Sequence, residues 1–310
     1  MNAPLDLSAA DILLPINAVE RETGVTKELL RMWERRYGFP EPARDAHGDR
    51  VYPRDQVDKL RLLRRLIDHG FRPGKIIQLD HASLSTLLQG QGRPDEALPP
   101  ELARELVSVL KSNDINRIRD YLGHQLIKAG LQRFILDFLR HANVIVGDAW
   151  MRGELAVHEE HLFTEQVQGL IRQAVGGLRV PASTPRILLT TPPDEAHGLG
   201  LLMVEALLRL EDIDATCFGT QMPAREAAQA ATKHRMHVVA LSFSASYPTT
   251  RAIDYLEELR FRLPASVAIW AGGTSLRSTR RSVEGVRILH ELTELRQAVS
   301  DWRAAQGRKA

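Results

Sequence analysis

Three short motifs in the C-terminal part of the sequence could do chemistry together: Glu195-Ala196-His197-Gly198-Leu199-Gly200, Ser242-Phe243-Ser244 and Gly272-Gly273. Imidazole is a good ligand for a cobalt-type metal, and its second ring nitrogen needs an acceptor that fixes the tautomer. Glu195 is close enough in sequence to His197 to be that acceptor. Gly198, Gly200, Gly272 and Gly273, with the short hydroxyls of Ser242 and Ser244, leave room for a deep slot that a flat, bulky group could enter. By itself, a histidine in such a loop is more often an ordinary surface or helix-start residue. The case for chemistry therefore rests on whether the fold brings the three motifs together.

The elements that must do so are legible. Five short, mostly apolar runs, 186–191, 214–219, 237–242, 267–271 and 286–289, read as strands. Helical runs follow the first four, at 199–210, 223–234, 250–263 and, less clearly, 275–282, and a last helix at 291–304 closes the region. This alternation predicts a five-stranded, doubly wound parallel α/β sheet over 185–305, with strand 1 beside strand 3 and a binding crevice at that switch point. All three motifs then lie in loops at the carboxyl end of the sheet.

The chain has 310 residues, 44% hydrophobic and 26% charged, which suits a multidomain globular protein. No apolar run approaches the length of a membrane span and no secretory signal is visible, so a cytoplasmic protein without membrane attachment is expected. The single cysteine, Cys217, excludes an intramolecular disulfide and a multi-cysteine zinc site. A formal net charge of +2 says little about nucleic acid, but the basic residues are unevenly placed.

They gather in 12–80. A short helix from Ile16 ends at Thr23-Gly24-Val25, and Thr26 caps a second with Leu29, Leu30 and Trp33 on its apolar stripe and Lys27, Arg31, Arg35 and Arg36 on other faces. A β-hairpin wing follows around His47-Gly48-Asp49, flanked by Arg44, Arg50 and Tyr52. Pro53 and Asp55 open a third helix that closes at Gly70. Any one of these arginines is most simply a solvated helix-face residue. Together, on two elements that can straddle a groove, they supply phosphate neutralisation and base-edge contacts. Punctuation by Gly90, Gly92, Pro94, Pro99 and Pro100 marks 81–98 as a linker. Four amphipathic helices with short connections then predict a four-helix bundle over 99–179. In it Trp150 is followed, after nine intervening residues, by Glu160-His161. The simplest reading makes Trp150 core and His161 a surface residue; a metal site from His158 and His161 lacks a third ligand at a known spacing.

Residues 16–77 resemble the MerR-type winged helix-turn-helix, through Thr23-Gly24-Val25-Thr26, Leu30-Arg31-Met32-Trp33-Glu34-Arg35-Arg36-Tyr37-Gly38, Pro40, Pro42, Arg44, Arg50-Val51-Tyr52 and Asp55. The resemblance implies binding to double-stranded operator DNA, with Thr26, Lys27, Arg31 and Arg35 on or near the recognition helix and Arg36, Tyr37, Arg44, Arg50 and Tyr52 at the wing and phosphates. The long dimerisation helix of metal- and drug-sensing members does not follow.

Residues 185–305 resemble the flavodoxin-like cobalamin-binding domain of methionine synthase and the mutases, whose pattern is Asp-x-His-x-x-Gly, Ser-x-Leu and Gly-Gly. Here it reads Glu195-x-His197-x-x-Gly200, Ser242-x-Ser244 and Gly272-Gly273, at the family's spacing. The resemblance implies that His197 is the lower cobalt ligand and that Ser242 and the Gly pair line the channel for the displaced nucleotide base.

A MerR-type reader, a helical bundle and a cobalamin-like domain in this order resemble the cobalamin-dependent photoreceptor repressors of the CarH and LitR type. That implies adenosylcobalamin as cofactor, other cobalamin forms being possible, and Trp150 packing on the adenosyl group beside Glu160 and His161. It also implies a homo-oligomer, dimer or tetramer, that holds operator DNA in the dark and releases it on photolysis, with no enzymatic activity. The family's pattern has a His directly after the Trp, where this chain has Met151, and a thioether is a poorer upper ligand than an imidazole. A light-independent cobalamin- or partner-sensing regulator is therefore an alternative, and a corrinoid methyl carrier a remote one.

Overall fold

The computed structural model describes residues 13–68, 71–89, 98–180, 183–245, 247–277, 279 and 281–307. The chain divides into two compact units, one made of residues 1–97 with 148–154 and the other of 98–147 with 155–310.

The first unit is built on short helices whose boundaries follow from local chemistry. Strand β1 (Leu13–Pro15) leads into α1 (Ile16–Thr23), which stops at Gly24 with φ +67. Helix α2 (Lys27–Tyr37) begins at Thr26, whose hydroxyl accepts the Leu29 N–H at 3.3 Å, and ends at Gly38 with φ +70. Strands β2 (Ala43–Arg44) and β3 (Arg50–Pro53) form the expected wing, and β1 joins them antiparallel in the order β1-β3-β2. Helices α3 (Arg54–Asp68), α4 (Pro73–Ile76) and α5 (His81–Gln89) complete it. The helix α5 replaces the first half of the expected linker, because Leu84 is buried in the same core as Leu30, Trp33, Leu60, Leu63 and Leu66. Residues 90–97 and Gly70 lie outside the described residues.

The second unit holds two layers that the sequence suggests as separate domains. Helices α6 (Pro100–Leu110), α7 (Ile115–Ala129), the short α8 (Leu131–Arg133), a π-helical turn (Phe134–Leu139), α9 (Arg140–Met151) and α10 (Val157–Gly176) form the helical layer, apart from the last turn of α9. The π-helical turn, not expected from the sequence, buries Phe134, Ile135, Phe138 and Leu139 together. Asp114 caps α7 by accepting the N–H groups of Asn116 and Arg117 at 3.0 and 3.1 Å.

Five parallel strands follow, β4 (Arg186–Thr190), β5 (Asp214–Cys217), β6 (Val238–Ser242), β7 (Ala268–Gly272) and β8 (Val286–Leu289), in the order β5-β4-β6-β7-β8. Between and after them run α11 (Leu199–Leu210), α12 (Ala224–Lys233), α13 (Thr249–Arg262) and α14 (Leu295–Gly307). Alternation sorts the strand side chains: Leu188, Val239, Leu241 and Ile269 pack with α12 and α13, whereas Ile187, Leu189, Val238 and Trp270 pack with α11 and α14. Of the helix expected over 275–282, the described residues form a 3-10 turn, Thr274–Leu276, with Ser275 and Leu276 buried. Helix α10 packs on α11, which ties the helical layer to the sheet.

Replacing the α7 cap, Asp114→Ala, is expected to lower stability by about 1 kcal/mol, while Asp114→Ser retains most of it. Urea denaturation of the two variants checks this.

Candidate functional site

The order β5-β4-β6-β7-β8 places the loops after β4 and β6 side by side, at the point where successive connections leave in opposite directions. Glu195 is 1% exposed at this point, and its carboxylate spans both loops. One oxygen accepts the His197 main-chain N–H at 3.0 Å and lies 2.6 Å from the ring Nδ1. The other accepts the Ser244 N–H at 2.8 Å, and the Ser244 hydroxyl also bonds to the carboxylate. The His197 side chain is 66% exposed, so its ring is fixed at Nδ1 and open at its outer edge.

The charge pattern follows from this geometry. Burial pushes the Glu195 carboxyl up, but the hydrogen bonds from His197 and Ser244 outweigh it and leave the group below the ordinary carboxylate range. The hydrogen bond to Glu195 raises the His197 imidazole above its ordinary value against partial burial, and the charges of Glu195 and Glu160 add to the rise. Glu160 thus acts on His197 from the start of α10. It also accepts the Thr164 hydroxyl at 3.1 Å and lies 2.7 Å from the ring of His161.

The glycines are explained by close approach. A Cβ on Gly200 would sit 2.7 Å from the Ser242 hydroxyl oxygen, and one on Gly272 would sit 3.1 Å from the Leu289 carbonyl oxygen. Gly273 has φ +108, and a Cβ there would overlap the Phe243 main chain at 2.2 Å. A Cβ on Gly198 would meet the Thr220 methyl at 3.2 Å. The structure therefore brings Glu195, His197, Gly198, Gly200, Ser242, Ser244, Gly272 and Gly273 to one end of the sheet.

Trp150 belongs to the first unit, packed against that unit's core, with the Arg61 guanidinium 4.3 Å from its ring centroid. Arg61 is itself buried and ion-paired to Glu22 and to Asp58, the latter at 2.6 Å. Met151 ends α9, and its side chain lies outside the described residues.

On the first unit, Arg31 and Arg35 are exposed along α2. Lys27 pairs with Glu20 at 3.5 Å, Arg50 with Glu34 at 3.1 Å, and Arg36 lies 5.3 Å from the Tyr37 ring. Arg44 donates to the Gly48 carbonyl at 2.6 Å within the wing. Tyr52, expected at the phosphates, is instead fully buried beside Leu30 and Trp33, because β3 turns it inward to complete the core.

Comparison with known proteins places this arrangement. The MerR HTH family model matches residues 14–82. The chain is 30% identical over 278 residues to the HTH-type transcriptional repressor CarH of Myxococcus xanthus, spanning 88% of this chain and 93% of that protein. The chain belongs to this family of MerR-type transcriptional repressors. A second member, the repressor CarA of the same organism, is 30% identical over 87% of this chain and 90% of its own length. The fold of this chain is matched by the monomethylamine corrinoid protein of Methanosarcina barkeri, with a TM-score of 0.51, 15% identity, and coverage of 64% of this chain and 96% of that one. Among the described residues no helix is long and apolar enough to cross a membrane.

In the protein alone, the His197 ring is expected to titrate above the ordinary histidine range, and Glu195→Gln to bring it down; ring C–H resonances followed against pH check this. A raised imidazole stabilises the fold below its unfolded pKa and loses that contribution as pH rises through the folded one. A lowered carboxyl stabilises it above its unfolded pKa and loses that contribution as pH falls through the folded one. The pair's contribution is therefore complete only between the ordinary carboxylate and imidazole ranges.

Proposed function

We propose that this repressor is a cobalamin-dependent, light-responsive regulator that binds operator DNA as a homo-oligomer in the cytoplasm, with adenosylcobalamin as the cofactor. The observation that carries the reading is the Glu195 carboxylate accepting from His197 Nδ1, which leaves the Nε2 lone pair to bind a metal from an exposed ring. The residues present fit the group. Gly200, Gly272 and Gly273 let Ser242, the Leu289 carbonyl and the Phe243 main chain approach more closely than a Cβ permits, at the same end of the sheet as His197. His197 would hold the cobalt, and Ser242 with the Gly pair would line the channel for the displaced base. When bound, adenosylcobalamin supplies a light-sensitive cobalt–carbon bond.

The chain's own residues do the rest. Glu195 orients the imidazole and Glu160 places a negative charge near it. The role of Trp150, with Glu160 and His161, in shaping the adenosyl pocket comes from the family resemblance. On the reader, the exposed Arg31 and Arg35 on α2 are suited to reach DNA, with Thr26 setting the start of that helix. A ligand that binds one assembly state shifts the equilibrium by its differential affinity, so the filled site favours the DNA-binding oligomer. Met151, in place of the family's upper-ligand His, favours a second reading in which cobalamin is sensed without photochemistry.

Gel filtration with adenosylcobalamin in the dark and then under green light, with the visible spectrum recorded alongside, tests the reading. Dark assembly that collapses on illumination is expected. No dark assembly sinks the proposal, and dark assembly indifferent to light leaves only the second reading. His197→Ala is expected to weaken cofactor binding and assembly together. Arg31→Ala and Arg35→Ala are expected to weaken binding to a duplex selected from a random library by about ten-fold each, with the cofactor spectrum unchanged.

A further inference from the structure

Two consecutive hydroxyl residues, Thr190 as the last residue of β4 and Thr191 directly after it, are both 0% exposed. The preceding residues Ile187, Leu188 and Leu189 are apolar, so hydroxyls here must find partners or carry the cost of burial. They find them in two different loops. Thr190 donates to the Gly219 carbonyl at 2.9 Å. Thr191 donates to the Glu195 carbonyl at 2.5 Å and accepts the Gln221 N–H at 2.8 Å, while its own carbonyl accepts the Met222 N–H at 2.8 Å. One buried hydroxyl thus joins the loop that carries Glu195 and His197 to segment 219–222.

That segment is held under constraint. Gln221 has φ +61, a left-handed conformation that a non-glycine residue keeps only where its surroundings impose it. The hydrogen bond to Thr191 is one such restraint, and the Tyr255 hydroxyl, donating to the Met222 carbonyl at 2.9 Å, is another. The result brings Thr220 against Gly198, the residue next to His197.

We propose that Thr191 is a positioning residue of the His197 site, and that segment 219–222, which it holds in place, is a further wall of that site, with Thr220 as its contact residue. Without the hydroxyl, the Glu195 carbonyl and the Gln221 N–H lose their shared partner in a buried place, and the loops relax apart to reach water. Glu195 moves with its loop, and the orientation of the His197 ring is lost with it. Valine has the shape of threonine without the hydroxyl, so Thr191→Val removes the lock and little else. Serine retains it.

The proposal rests on the cobalamin reading of the site, so it is tested at two levels. Amide hydrogen exchange on the protein alone is expected to show the Gln221 N–H as protected as that of Phe218, which bonds to the Leu189 carbonyl at 2.9 Å. Rapid exchange of Gln221 in the unmodified protein overturns the lock without any variant. With hydroxocobalamin as probe, Thr191→Val is expected to bind at least about ten-fold more weakly and to lose the spectral shift of axial histidine ligation, while Thr191→Ser stays near the parent. Equal binding by Thr191→Val, or a loss in Thr191→Ser as large as in Thr191→Val, overturns the positioning role. If the parent chain shows protected Gln221 but binds no hydroxocobalamin, the cobalamin reading falls and the positioning role falls with it.

Discussion

A carboxylate buried to 1% exposure must be surrounded by donors, and at Glu195 that requirement organises the end of the sheet. Its two oxygens are shared between the main chain and ring of His197 on one loop and Ser244 on another. Neither loop can shift without leaving part of the charge unpaired. The same bonds select which imidazole nitrogen faces inward, so one group settles both the loop geometry and the orientation of the ring.

Glu195 stands where the methionine-synthase pattern has Asp, and its carboxylate touches both loops. Ser244, where that pattern has Leu, offers a hydroxyl to the same carboxylate. The two departures thus meet at one contact. The glycines serve the same end by another route: Gly200 and Gly273 allow backbone and Ser242 to approach more closely than a Cβ permits.

In the first unit, much of the basic charge is already engaged. Arg50 pairs with Glu34, Lys27 with Glu20, and Arg61 is enclosed by Glu22, Asp58 and the Trp150 ring. These contacts hold helices and wing in register, and they leave the exposed face of α2 to Arg31 and Arg35. Trp150 illustrates how one residue type answers to its neighbours: in this structure its indole completes the core around α3.

The sequence by itself determined the five strands, the helix cap at Thr26 and the glycine stop at Gly24, because these depend on residues within a few positions of each other. It also determined which three motifs carry the candidate chemistry, since strand–helix alternation obliges their loops to share one end of a parallel sheet. Only the tertiary structure decided that Tyr52 is core, that Leu84 draws 81–89 into a helix, and that the helical layer and the sheet form one unit. It alone showed Thr191 and segment 219–222 joined to the loop that carries His197, for which the only local sign was a pair of threonines at the end of an apolar strand. Such choices depend on partners distant in sequence, and on burial, which no local pattern encodes.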